Sequence, residues 1–196
     1  MRKKVLLEKN WFRPIYRQIE RIDGWLSENE ARFLYESASN MSSAKGVIVE
    51  IGSYKGRSAV TLAKGSLTKG EDIIYCIDPW VPFRLKDGSM RDLNLETFYN
   101  NIKEHGVSHI ICPVREYSHK VVVNWLMPIK ILFIDGNHDY KEVKRDFELW
   151  VPHVISGGIV ALHDTHGFDG PRKLVEEKIP KEKRICVDEI TAFVKE

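Results

Sequence analysis

The amino-acid sequence predicts an α/β fold: a doubly wound, mostly parallel sheet with helices on both faces, in three layers α/β/α. Three observations predict it. From residue 46 onward, short apolar runs alternate with longer amphipathic segments. Each run is apolar almost throughout rather than at every second position, as expected of parallel strands covered on both faces. The chain then closes with two strand-like runs joined by almost nothing, "KRICVDEITAFVKE", which reads as an antiparallel C-terminal hairpin.

The elements follow in order. "NWFRPIYRQIE" sets Trp11, Phe12, Ile15, Tyr16 and Ile19 on one apolar stripe interrupted by Pro14. "WLSENEARFLYESAS" has Ser27 followed three residues later by Glu30, a capping box, and then Ala31, Leu34, Tyr35 and Ala38 at helical spacing. These helices either pack on the domain or form a lid over a substrate cleft. "GVIVEIG" reads as the first strand and "GRSAVTLAKGS" as a helix; "DIIYCID" is the second strand. Residues 83–92 read as a loop before the helical "LETFYNNIKEHG". "SHIICPV" is the third strand, "YSHKVVVNWL" a helix, "KILFID" the fourth strand and "YKEVKRDFELWV" a helix. "SGGIVALHD" supplies a fifth strand after a Gly-Gly turn, and "PRKLVEEKI" a helix.

Bulk properties bound the function. A chain of 196 residues, 43% hydrophobic and 30% charged, fits one folded globular domain. A net charge of +2 makes no electrostatic case for nucleic acid. The basic start "MRKK" precedes an apolar run too short for a signal peptide, and no stretch reaches the ~18 apolar residues of a membrane span. Cys76, Cys112 and Cys186 lie far apart without metal-site spacing and read as buried, reduced thiols, which points to a cytoplasmic location.

In parallel sheets ligands bind beyond the carboxyl ends of the strands, so the residues after each strand carry the functional information. After the first comes "VEIGSYKGRSAV". Gly52 and Gly56 allow a tight turn and close backbone approach, Glu50 ends the strand, and the next helix offers N-terminal amides and the Ser58 hydroxyl to an anionic group. Tyr54 stands where a nicotinamide fingerprint has its second glycine, which counts against an NAD(P)-dependent oxidoreductase. Asp78, ending the second strand, is placed to accept from the hydroxyls of a ribose; otherwise it starts a turn before Pro79. Trp80 reads as a core residue or as cover for an adenine face, and Ser118, after the third strand, as a contact to the purine edge.

The fourth strand runs into "DGNHDY", which projects Asp135 and His138 three residues apart, and the fifth ends in "ALHDTHG". With Glu-x-Gly-x-x-x-Gly-x-Ser and an acidic residue after the second strand, this order resembles the class I S-adenosylmethionine-dependent methyltransferases. "VEIGSYKGRSAV" is similar to the first motif of the catechol and caffeoyl-CoA O-methyltransferases, and "LFIDGNHDY" with "VISGGIVALHD" to enzymes that methylate macrolide sugars. The resemblance implies a Rossmann-like, seven-stranded sheet whose last strand is antiparallel. The resemblance covers roughly residues 22–196, and the change of pattern after the first forty-odd residues divides the chain into an N-terminal helical extension, residues 1–44, and a methyltransferase domain, residues 45–196. S-adenosylmethionine is the implied cofactor, its methionine portion held by Gly52, Ser53, Tyr54 and Ser58, its ribose by Asp78 and its adenine by Ser118.

The resemblance also assigns roles to the opening of the fourth-strand loop. Asp135 would bind a divalent cation such as Mg²⁺, with Asp164 and His163 as further ligands, and His138 would take the proton from a substrate hydroxyl. Relatives carry Asp-Asn or Glu-Asp where this chain has Asp164 beside His163 and Thr165. Waters and Thr165 would have to complete a magnesium shell, while His163 or His166 would favour a softer ion. Without a metal, Asp139 would support His138 as base. The implied acceptor is a small molecule bearing a hydroxyl, with no membrane or nucleic-acid partner, and homo-oligomerisation is open. No Asn-Pro-Pro-Tyr or Asp-Pro-Pro-Tyr follows the fourth strand to hold a flipped base. A non-catalytic adenosylmethionine-binding protein of the same fold is the remaining alternative.

Overall fold

The computed structural model describes residues 11–84, 87–91 and 95–196. The basic start, the short apolar run behind it and positions 85, 86 and 92 of the expected loop lie outside the described residues. Helix α1 (Arg13–Ile19) carries Pro14 in its first turn, where a missing N–H costs nothing. Helix α2 (Glu28–Asn40) begins with the expected capping box, Ser27 Oγ accepting from the Glu30 amide and Glu30 Oε2 accepting from the Ser27 amide. Strand β1 (Val47–Ile51), helix α3 (Arg57–Ser66) and strand β2 (Ile74–Ile77) follow. The short strands β3 (Phe83–Arg84) and β4 (Met90–Arg91) pair antiparallel across the segment expected to be loop. Then come α4 (Leu95–Glu104), β5 (Ile111–Val114), α5 (Ser118–Val121), β6 (Ile129–Ile134), α6 (Tyr140–Trp150), β7 (Val154–Leu162), α7 (Asp169–Lys178), β8 (Ile185–Val187) and β9 (Ile190–Val194).

Seven strands form one sheet in the order β5-β2-β1-β6-β7-β9-β8. Its first five strands are mutually parallel, and β9 runs antiparallel to both β7 and β8. Alternate strand residues split the core in two. Ile48, Ile74, Ile131 and Phe133 face a cluster with Phe12, Tyr16, Leu34, Leu62 and Phe98, so residues 11–44 share a core with the sheet. Val49, Leu132, Ile134 and Val160 face Val143, Phe147, Trp150 and Leu174 from α6 and α7. The strand order reverses between β1 and β6, which places the loops after these two strands at the topological switch point.

Two further expectations change. The helix expected over 117–126 is one α-turn and one 3-10 turn, because three consecutive valines give no single buried face: Val122 is buried, while Val123 is 75% exposed and Leu126 93%. The three thiols are free as expected, yet only Cys76 is buried; Cys112 is half-buried and Cys186 exposed. No helix among the described residues is long and apolar enough to cross a membrane.

Candidate active site

The loop after β1 is built around a sharp turn. Gly52 (φ +85°) lies so close to β6 that a Cβ there would sit 2.1 Å from the Asp135 carbonyl oxygen, which only glycine permits. Tyr54 adopts φ 48° and Gly56 φ 91°, so the chain turns twice before α3 begins. The carboxylate of Asp78 fastens this loop, Oδ2 accepting from the amides of Ser53 and Tyr54, each at 2.9 Å, and Oδ1 from the Trp80 amide at 2.7 Å. Burial raises the Asp78 pKa, and those three amides work against the rise.

Glu50 is fully buried at the end of β1 and accepts from Ser53 Oγ at 2.5 Å. Its other oxygen has no hydrogen-bond partner. Burial pushes its pKa up to about 7, against the opposing influence of the Ser53 and Ser58 hydroxyls and the Cys76 thiol. Ser58, at the start of α3, is itself buried. Trp80 is 1% exposed, packs edge-on against Phe98 with ring centroids 5.0 Å apart, and donates its indole N–H to the Tyr54 carbonyl. It is a core residue that braces the loop; a ring so enclosed has no face to lay on adenine. Ser118, half-buried at the start of α5, donates its hydroxyl to Asp146 of α6.

The loops after β6 and β7 assemble the second half of the site. His138 Nε2 lies 2.9 Å from Asp164 Oδ2, with the Phe168 ring 3.9 Å from the imidazole centroid to centroid. His163 Nδ1 lies 3.1 Å from Asp135 Oδ1 and 3.4 Å from Asp164 Oδ2, and its Nε2 stands 3.4 Å from Glu30 Oε1, an ion-pair distance without hydrogen-bond alignment. Burial opposes a charged His163, but the Asp135 carboxylate, with Asp164 and Glu30, holds its pKa well above the ordinary imidazole range. Burial would likewise raise Asp164; its bonds to His138 and His163 outweigh that and hold it well below the usual carboxylate range. His163 is therefore enclosed by Asp135, Asp164 and Glu30, a setting that favours its charged form.

Among the described residues, ligand atoms of Asp135, His138 and Asp164 lie within 4.8 Å of one another, so the group able to hold an ion exchanges His163 for His138. Thr165 is unsuited to complete it, because its hydroxyl is taken up by the Glu189 carbonyl and Thr191. Asp139 does not face His138: it is the N-cap of α6, accepting from the Lys141 amide, and the carboxylate that lies against the His138 ring is Asp164. His166 is exposed, and its amide bonds to Glu189. Sequence reasoning missed Glu30, Phe168 and Asp146. Glu30 was legible only as a cap, since its second place, against His163 and the Glu189 amide, depends on how α2 packs on the end of the sheet.

Residues 49–165, more than half of the chain, match the family model described as a methyltransferase domain. This chain belongs to that methyltransferase family. The methyltransferase is 31% identical over 125 residues to uncharacterized protein R132 of Acanthamoeba polyphaga mimivirus, covering 61% of this chain and 52% of that protein. A shorter stretch of 44 residues is 43% identical to uncharacterized protein y4gI of Sinorhizobium fredii, covering 20% of this chain and 5% of that one. The chain thus spans about half the length of the viral relative and a small part of the rhizobial one. Its fold is similar to the O-methyltransferase NovP, with a TM-score of 0.73 at 12% identity over 86% of this chain and 80% of that one. TomG of Streptomyces achromogenes, solved with SAM, gives 0.63 at 15% identity (88% and 82% covered). An O-methyltransferase of Bacillus cereus, solved with SAH, gives 0.63 at 16% (90% and 86% covered). At such identities the likeness is one of fold, and it extends to the seven-stranded sheet and its antiparallel last strand.

Proposed function

We propose that this methyltransferase transfers the methyl group of S-adenosylmethionine to a hydroxyl of a small molecule, with His138 as general base. The single observation that carries the reading is the His138–Asp164 pair, a half-exposed imidazole held at 2.9 Å by a carboxylate at the mouth of the sheet. Methyl transfer is an in-line displacement at a carbon that the sulfonium already activates, so the protein's tasks are alignment and removal of one proton. Asp164 accepts from one ring nitrogen and leaves the other to take the hydroxyl proton, the division of labour that suits an imidazole to base catalysis.

The residues after β1 fit the cofactor. The orphaned oxygen of Glu50 is a buried acceptor in want of a donor, as the ammonium group of the methionine portion would be, acting directly or through water. Gly52, Ser53, Tyr54 and Gly56 shape the turn around that group. Asp78 has three of its roughly four acceptor positions filled by the loop, leaving room for one ribose hydroxyl rather than two. Trp80 acts through the loop it braces.

For a divalent ion, two carboxylates and an imidazole are a compatible donor set. His138 cannot be ligand and base at once, so an ion would be held by Asp135 and Asp164 and would acidify the acceptor hydroxyl.

Calorimetry with S-adenosylhomocysteine and NAD tests the cofactor: tight NAD binding without S-adenosylhomocysteine affinity would overturn the reading. With an acceptor in hand, His138→Ala should keep S-adenosylhomocysteine binding and lose ~10²–10⁴ in kcat. Chelator treatment with Mg²⁺ or Mn²⁺ add-back separates the two forms of the site. Activity lost and restored would assign Asp135 and Asp164 to an ion, and full activity in excess chelator would leave the His138–Asp164 pair as the whole apparatus.

A further inference from the structure

Asp146 is a carboxylate where the helix pattern asks for an apolar side chain. It lies on the inward face of α6 with Val143, Phe147 and Trp150 and is 5% exposed. Burying a carboxylate is costly unless its acceptors are used. Here the hydrogen-bond partner is the Ser118 hydroxyl, which donates to Oδ1. Oδ2 lies beneath the loop after β6, 3.7 Å from where a Cβ on Gly136 would stand. Arg145, Glu142 and His119 are the charged or titratable groups that act on it, none of them hydrogen-bonded to it. If tying α5 to α6 were the whole purpose, an apolar pair would do so at less cost.

What the carboxylate does to Ser118 is specific. A free serine hydroxyl rotates to donate or accept as its partner requires. An ionised carboxylate only accepts, so Asp146 takes the one Ser118 proton and leaves Oγ with lone pairs alone. Ser118 stands four residues beyond Val114, whose carbonyl accepts from the Asp78 amide at 3.2 Å, so the two residues follow the carboxyl ends of adjacent parallel strands, Ser118 after β5 and Asp78, assigned to the ribose, after β2. On the reading that S-adenosylmethionine binds here, the group presented to Ser118 is a purine edge. A 6-amino group donates; a 6-oxo group accepts and would meet lone pairs with lone pairs.

We propose that Asp146 is a positioning residue for cofactor specificity: it orients the Ser118 hydroxyl inward, so that the site selects a 6-aminopurine nucleoside over a 6-oxopurine one. The hydroxyl, released from Asp146, would turn outward and serve either base.

The test is a pair of affinities rather than one. S-adenosylhomocysteine and its deaminated analogue S-inosylhomocysteine, which differ at the purine 6-position and the adjoining ring nitrogen, are titrated calorimetrically into the full chain. The wild type should favour the amino compound at least tenfold. Asp146→Leu should bring the ratio near unity by improving the oxo compound, an effect that loosened packing would not produce, since that weakens both ligands alike. Ser118→Ala, at a half-buried position outside the core, should also abolish the preference, by weakening the amino compound. Melting curves confirm that both variants are folded, and should Asp146→Leu not fold, the wild-type and Ser118→Ala ratios still decide. A wild-type ratio near one, or a preference that survives in Ser118→Ala or in folded Asp146→Leu, overturns the inference alone. Failure of the wild type to bind S-adenosylhomocysteine at all would overturn the cofactor reading and this inference with it.

Discussion

His138 Nε2 stands 2.9 Å from Asp164 Oδ2, although the two residues follow strands that only the sheet brings side by side. Asp164 reaches this position with φ 57°, a left-handed conformation that Asn and Asp tolerate better than other side chains. Asp164→Asn should therefore keep the backbone and lose the charge, lowering kcat ~10²-fold through misorientation of the imidazole. Asp164→Ala should add about 1 kcal/mol of instability from the turn itself. Steady-state kinetics and thermal melts on both variants check the split; equal melts would remove the conformational half of the account.

Glu50 makes stability depend on pH. Its pKa rises from 4.5 to about 7 because it is buried with one oxygen unpartnered. Below pH 4.5 both folded and unfolded chains hold the proton and nothing is lost. Between 4.5 and 7 the unfolded chain releases it while the folded one keeps it, so stability falls with rising pH, and above 7 the penalty levels off at about 3 kcal/mol. Glu50→Gln should leave the ligand-free protein more stable at pH 8 and no different at pH 4. Denaturant titrations at both values measure this, and an identical gain at both would refute it.

Lys130 is fully buried in β6, its Nζ 2.6 Å from Asp72 Oδ1 and 3.3 Å from the Ala44 carbonyl. Removing one partner leaves a buried charge alone, so Lys130→Met or Asp72→Ala should cost ~3–5 kcal/mol. The double variant Lys130→Met with Asp72→Ala should recover much of that loss. Urea midpoints of the three proteins test the coupling, and strict additivity would mean the pair does not act as one.

Gly52 and Gly88 share a left-handed φ, +85° and +84°, but of the two only Gly52 is crowded by described residues: none of these lies within 4 Å of a Cβ on Gly88. Gly88→Ala should therefore show conformational strain alone, about 1 kcal/mol. Gly52→Ala should lose at least ~2 kcal/mol and at least tenfold in S-adenosylhomocysteine affinity, because the Asp135 backbone must retreat. Equal losses in the two variants would show that the close approach of β1 to β6 is not what glycine provides.

The fold was legible because it is written in local patterns. Wholly apolar runs such as "ILFI" read as strands buried on both faces, Ser27 and Glu30 signal a helix start within four residues, and a two-residue connection at Asp188–Glu189 leaves the last strands no choice but to pair. Candidate site residues were legible for the same reason, since a polar residue directly after a buried strand must emerge at the sheet's edge. Two cases were not legible. Trp80 lies two residues beyond a strand, as a ligand-facing residue would, and nothing local says that Phe98 waits to enclose it. The "YSHKVVVNWL" segment has helix-compatible residues but no single apolar face, so packing decided its length.

The polar centre shows where sequence stops. The sequence by itself determined that Asp135, His138, His163 and Asp164 would emerge at neighbouring strand ends, because strand periodicity and the parallel order require it. Which imidazole faces which carboxylate was decided only by the tertiary structure. His163 is drawn inward because Glu30 arrives from a helix more than a hundred residues away and, with Asp135, makes a buried cation favourable there. His138 is thereby left at the open edge with Asp164. Adjacent carboxylates compete for the same two rings, and burial, which no local pattern encodes, settles the competition.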